Sequence, residues 1–192
     1  MSVHTARFLA AAADARGLPR LPYPEVAFAG RSNVGKSSLL NRLVGQHRLA
    51  RVSKTPGRTQ QINFFLVDER VTFVDLPGYG FARVPVPVKL QWKALVETYL
   101  AQRRGLRGVV VLVDLRRGIE PDDALLLDYL RAHRLPTLVV GTKADKLGRA
   151  ARTAHAKALI AAVAPDAAVV GCSAVSGEGI DDLWKAIAGW LP

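Results

Sequence analysis

Residues 30–37 read Gly30-Arg31-Ser32-Asn33-Val34-Gly35-Lys36-Ser37, two glycines with four residues between them, followed by a lysine and a serine. A glycine-rich turn of this kind points backbone N–H groups inward at phosphate oxygens. Lys36 reaches the outer phosphates, and the Ser37 hydroxyl is placed to ligate Mg²⁺. The pattern needs a strand before it and a helix after it. Glu25-Val26-Ala27-Phe28-Ala29 is a short apolar run leading in. Ser38 opens a stretch with Leu39, Leu40 and Leu43 at helical spacing, and Gly45 can end it. The N-terminus of that helix adds its partial positive charge to the phosphate site.

Three further stretches fall at the ends of apolar runs. Asp75-Leu76-Pro77-Gly78 is the first. An aspartate there can hold Mg²⁺ through water, and the Gly78 N–H can meet a γ-phosphate. Such turns are common, so the weight comes from placement. Thr142-Lys143-Ala144-Asp145 is the second. Its carboxylate can accept from both N1–H and N2–H₂ of guanine, a donor pair that adenine lacks, while the Lys143 stem covers the base. Thr142 stands where asparagine is commoner. Cys172-Ser173-Ala174 is the third, with backbone N–H groups placed for guanine O6. Each stretch sits at the C-terminal end of a predicted strand, where open α/β sheets bind ligands. A threonine that closes on Mg²⁺ and γ-phosphate is still required. Thr55 and Thr59 are the candidates, and spacing does not choose between them.

The elements that must position these residues follow from periodicity. Strands are expected at 25–29, 61–67, 70–75, 108–115, 136–141 and 167–172, the second and third forming a hairpin over Asp68-Glu69. Helices are expected at 38–44, 88–104, 122–133, 149–163 and 180–191. Ile180, Leu183, Trp184, Ile187 and Trp190 share one face of the last helix, and Trp92, Val96 and Tyr99 make a similar stripe. These aromatics read as core. The alternation predicts an α/β, doubly wound, three-layer sandwich around a sheet of about six strands, mostly parallel with one antiparallel strand. Residues 23–192 are expected as one domain, and residues 1–22 as an N-terminal arm or helix packed on it.

The chain has 192 residues, room for one sizeable core, and a single cysteine, Cys172, which reads as a small core residue in a reducing cytoplasm. No apolar run reaches membrane-spanning length. The net charge is +11. Five Lys/Arg and no acid lie between Arg42 and Arg58, and Arg103, Arg104 and Arg107 form a second group. A basic surface favours polyanions, nucleic acid first; an arginine-rich composition without function is the plain alternative.

The chain resembles the EngB (YihA/YsxC) GTPases, of the bacterial Era/EngA/EngB group. The resemblance spans about Arg7 to Leu191 and is carried by 24–37, by Lys54-Thr55-Pro56-Gly57-Arg58-Thr59-Gln60, by Ile62-Asn63-Phe64-Phe65, by Asp75-Leu76-Pro77-Gly78-Tyr79-Gly80, and by Thr142 to Leu147. It implies a Ras-like GTPase fold that binds GTP and GDP with Mg²⁺. It implies Gly57, Arg58, Thr59, Gln60 and Gln61 as the first switch, with Thr59 on Mg²⁺, and Thr142 as the family's own form of the base-reading motif. It further implies a role in assembling the large ribosomal subunit, with effects on cell division and septation; a monomer is the default expectation. Gln61 stands where relatives often carry an apolar residue, and Ala82 and 85–87 vary the second switch.

Many GTPases orient the attacking water with a glutamine after Asp-x-x-Gly; here that residue is Tyr79. A phenol orients water poorly, so intrinsic turnover is expected to be slow, with Lys36, Thr59, Gly78 and Asn33 as the catalytic candidates. Asn33 could ligate a K⁺ that supplies charge, or simply stabilise the loop. Arg58 could act as a finger in cis, or bind a partner. A regulatory GTPase acting through a protein effector is the alternative function; an ATP-dependent kinase is disfavoured by Asp145.

Overall fold

The computed structural model describes residues 4–46, 49, 61–80, 86–163 and 167–192, without the side chains of 86–89 and 92. Among the described residues there are seven strands and five α-helices, in the order β1 (Ala6–Ala12), β2 (Glu25–Gly30), α1 (Lys36–Leu43), β3 (Ile62–Val67), β4 (Val71–Asp75), α2 (Val86–Gln102), β5 (Leu106–Asp114), α3 (Pro121–Ala132), β6 (Thr137–Thr142), α4 (Arg149–Ala162), β7 (Ala168–Gly171) and α5 (Ile180–Ala188).

The strands form one sheet in the order β1-β3-β4-β2-β5-β6-β7. β3 runs antiparallel to both its neighbours, and the other pairings are parallel. It is the one reversed strand. The turn after it runs through Asp68, Glu69 and Arg70, with Asp68 at φ 50 and Glu69 at φ 51, both left-handed, and the Arg70 N–H closing on Val67 O at 3.0 Å.

The sheet has seven strands rather than about six because Ala6–Ala12 pairs along the open edge of β3. Nothing in that alanine-rich segment alternates cleanly. Its extended form follows from the row of backbone groups that β3 offers, with a register shift between Phe8 and Ala10. Phe8 stays 55% exposed, its ring edge-on to Phe65.

All six residues of β2 are buried, and seven of the nine in β5. Strands covered on both faces read as unbroken apolar runs, and their side chains part by parity. Val109, Val111 and Val113 join α2, α3 and α4 through Tyr99, Leu130 and Leu159. Val110 and Leu112 face the other way, to Leu39, Leu40 and Leu43 of α1 and Ile180, Leu183 and Ile187 of α5. The result is three layers, with every parallel strand ending at the same edge. Of the aromatic stripe on α2, Tyr99 is fully buried and the Trp92 side chain lies outside the described ones.

Candidate functional site: a phosphate loop and the carboxylate after β6

β2 ends at Gly30 and α1 begins at Lys36, so the loop between them hangs at the C-terminal edge of the sheet. Gly35 takes φ 105, a left-handed geometry that a side chain resists, and hands the chain directly into the helix. The first-turn N–H groups of α1, from Lys36, Ser37 and Ser38, have no acceptor within the helix. Ser32 Oγ is buried with no hydrogen-bond partner among the described residues. These are groups that anionic oxygens would satisfy, so the loop fits a phosphate. Val34 is buried under the loop, and Asn33 is exposed with φ 65.

Lys36 Nζ contacts Asp75 Oδ1 at the end of β4, both side chains nearly buried. The following segment folds back on the loop. Leu76 N–H donates to Phe28 O at 3.0 Å, Tyr79 N–H to Gly30 O at 3.4 Å, and Ser32 N–H to Tyr79 O at 2.9 Å. Gly78 is so close that a Cβ there would lie 3.0 Å from Ser32 Oγ. Pro77 lies between these contacts. Arg31 pairs with Glu120 at 3.2 Å.

The stretch from Thr142 to Asp145 reaches the loop through side chains. Thr142 Oγ lies 2.7 Å from Val34 O and 3.1 Å from Val113 O. Lys143, at φ 61, donates to Asn33 O at 2.7 Å and pairs with Asp114 at 3.0 Å. Ala144 N–H donates to Cys172 O at 3.2 Å. Ser173 Oγ donates to Asp145 Oδ1 at 2.7 Å and accepts from the N–H groups of Val175 and Ser176 at 3.2 and 3.1 Å. The Ser173 bond holds the Asp145 carboxyl below its ordinary range, so it is an ionised acceptor at neutral pH. Ala174 follows at the same turn. Cys172 is buried and bonds Gly179 O at 3.3 Å; burial pushes its thiol up to about 12, so it is no nucleophile.

Lys36, Asp75, the 76–79 segment, Thr142, Lys143, Asp145 and Ser173 are therefore linked around one loop. Gln61 is half-buried at the start of β3, whose Asn63 lies opposite Asp75. Gly57, Arg58, Thr59 and Gln60, and with them the choice between Thr55 and Thr59, lie outside the described residues.

Two features escaped the sequence reading. Asp114, at the end of β5, gathers Arg116 at 2.7 Å and Lys143 at 3.0 Å. Arg116 first, then Lys143, hold its carboxyl well below the usual range despite burial. Its position at a strand's C-terminal end was the available signal. Tyr79 OH donates to Asp123 Oδ1 in α3 at 2.8 Å, and burial pushes the phenol far above its usual range. No spacing rule links those two residues.

A glycine-turned loop between β2 and α1, and an ionised aspartate held by Ser173 after β6, fit one class, a P-loop GTPase. The comparisons place the chain within it. The model of a family described as a 50S ribosome-binding GTPase matches residues 25–143. A probable GTP-binding protein EngB from Glaesserella parasuis is 46% identical over 100% of this chain and 93% of its own length. One from Streptococcus pneumoniae is 42% identical over 97% of each. Among solved structures, a probable GTP-binding protein EngB superposes with TM-score 0.70 at 29% identity, covering 86% of this chain and 97% of that one. Era, solved with MgGDPNP and a segment of 16S ribosomal RNA, gives TM-score 0.67 at 26% identity over 90% of this chain and 58% of that one. The chain belongs to the EngB family of GTP-binding proteins.

Proposed function

We propose that this EngB-family GTPase is a slow molecular switch acting in large ribosomal subunit assembly, cytoplasmic and monomeric, and needed for normal cell division and septation. The observation that carries the guanine reading is Asp145, ionised and held by Ser173 at 2.7 Å beside the phosphate loop. An acceptor fixed in this way takes both N–H donors of guanine and repels an adenine lacking them. The ribosomal part is supported by the description of the matching family, by the RNA in the Era structure and by the net charge of +11.

In this reading Gly30 to Gly35 wrap the phosphates, with Lys36 on the outer ones and Ser38 at the helix start. Leu76, Pro77 and Gly78 bring an N–H toward the γ-phosphate. Gly57, Arg58, Thr59, Gln60 and Gln61 form the closing loop. Thr142, Lys143, Ala144 and Asp145 read the base together with Cys172, Ser173 and Ala174. Ser37, Thr59 and Asp75, the last through water, would hold Mg²⁺, which when bound offsets phosphate charge. One hydroxyl and one carboxylate suit a cation that keeps waters and phosphate oxygens as its other ligands; among the described residues no cluster of three or more acidic, His or Cys side chains competes for it.

Slow hydrolysis is supported by Tyr79, whose phenol is committed to Asp123 rather than to a water. Asn33 is exposed and could ligate K⁺. Rates in KCl and NaCl at equal ionic strength test this, and equal rates reject it. No helix among the described residues is long and apolar enough to cross a membrane.

The deciding experiment is co-sedimentation with purified large ribosomal subunits. Binding that is stronger with a non-hydrolysable GTP analogue than with GDP is expected. Absence of binding at every nucleotide state and salt concentration overturns the ribosomal reading. A protein effector is the second reading, favoured by an apolar groove of about 630 Å³ between Leu76, Tyr79, Val96, Leu100, Leu126 and Tyr129. Docking there would be insensitive to salt.

A further inference from the structure

We propose that a row of arginines along the sheet edge opposite the phosphate loop binds the phosphate backbone of ribosomal RNA. The proposal rests on the ribosomal reading above and names the face it uses. β4, β2, β5 and β6 are neighbours and parallel, so all four start at that edge. Backbone bonds of 2.8 Å tie the starts together: Thr72 N–H to Pro24 O, Glu25 N–H to Gly105 O, and Val109 N–H to Pro136 O. An exposed arginine stands at each. Arg70 immediately precedes β4, and Arg20 lies in the run-up to β2. Arg104 and Arg107 flank the start of β5, and Arg134 sits in the turn before β6. Four strands at the usual spacing carry this row across about 15 Å.

The row is unpaired. Among the described residues, none of the five side chains makes an ion pair or a hydrogen bond. Among the described residues, nearby acids are taken: Glu25 by Arg103 at 2.7 Å, Asp128 by Arg131 at 3.0 Å, Asp68 by His4 at 2.6 Å and Glu69 by Arg7 at 2.8 Å. At the phosphate loop itself the described cations are paired instead, Lys36 with Asp75, Lys143 and Arg116 with Asp114, and Arg31 with Glu120. Among the described residues, a row of uncompensated arginines therefore lies at the sheet edge far from the phosphate loop.

A line of separate forked guanidiniums suits a repeating anion better than a single one. A folded protein partner would need apolar anchors at the centre of the contact. Among the described residues, the large exposed hydrophobics, Phe8, Leu90, Leu125, Ile160 and Val175, lie outside the strand-start segments. The partner chemistry is therefore a polynucleotide backbone, read without base contacts.

The test compares three full-length proteins: wild type, a row variant (Arg70, Arg104, Arg107 and Arg134 each to Gln), and a control variant that removes equal charge elsewhere (Lys93, Arg149, Lys157 and Lys185 each to Gln). Each is titrated into large ribosomal subunits and into protein-free ribosomal RNA from them, across a KCl series. GTP affinity and melting temperature verify that both variants fold. The row variant is expected to bind both probes at least tenfold more weakly, and to lose about three from the slope of log affinity against log salt, since each backbone contact contributes roughly 0.7–0.9. The control is expected to match wild type. If wild type binds subunits and the row variant binds equally, the surface is wrong while the ribosomal reading stands. If the two variants weaken alike, only net charge matters and the row is rejected. If wild type binds subunits but not the free RNA, the contact is to protein and the proposal falls. If wild type binds neither probe, both readings fall.

Discussion

The Thr142 hydroxyl lies 2.7 Å from the backbone carbonyl of Val34, joining the end of β6 to the phosphate loop. Both groups are buried, so the bond is made in the absence of competing water. A threonine thereby makes the tie between β6 and the phosphate loop. Thr142→Val keeps the shape and removes the donor. It is expected to cost about 1–3 kcal/mol by leaving the carbonyl unmet, and to weaken GTP and GDP binding together. Denaturant unfolding and nucleotide titration measure both. Unchanged stability with unchanged affinity would show that the tie is idle.

Ser173 holds Asp145 in its ionised form, which gives a pH signature. The folded carboxyl sits below its ordinary value, so what the charge contributes is complete above that value, near 3.9, and is lost only as pH falls through the lower folded one. Ser173→Ala removes the bond and moves the loss to higher pH. GTP affinity measured from pH 7 down to the acid range should fail earlier in the variant than in wild type. Coincident profiles would remove Ser173 from the account.

Tyr79→Phe separates structure from catalysis. The phenol donates to Asp123, whose other oxygen accepts the Glu120 N–H at the start of α3. Losing the donor is expected to cost about 1 kcal/mol and to leave single-turnover GTP hydrolysis unchanged. A large fall in rate without a fall in stability would make the phenol part of the chemistry.

Gly179 opens the turn after the base loop at φ 75, and a Cβ there would lie 2.0 Å from Gly171 O. Gly179→Ala meets a left-handed backbone, worth about 1–2 kcal/mol by itself, and a contact with backbone that cannot swing away. The variant should melt well below wild type and bind guanine nucleotides more weakly. Wild-type melting would mean the turn has another low-energy form.

Legibility in the sequence followed the range of the interaction. The loop from Gly30 to Ser37 and the strand-end stretches at Asp75, Asp145 and Ser173 are short, and each carries its chemistry in adjacent residues. The hairpin over Asp68-Glu69 was readable for the same reason. β1 was not, because Ala6–Ala12 has no periodicity and is extended only through pairing with the distant strand β3, Ala12 with Ile62 and Ala6 with Val67. Arg31 with Glu120, Tyr79 with Asp123, and Lys143 with Asp114 are pairings across the sheet that no local pattern encodes. The arginines before β4, β2, β5 and β6 look scattered along the chain and form a row only once the strand order is known.

The central claim is that Asp145 selects guanine, and its exchange for asparagine tests it most directly. The substituted side chain would present an amide donor where N2–H₂ of guanine needs an acceptor, and xanthine offers a carbonyl there instead. Competition binding of GTP, XTP and ATP to wild type and Asp145→Asn should show GTP preferred by the first and XTP by the second, with ATP weak for both. Retained GTP selectivity in the variant would contradict the account.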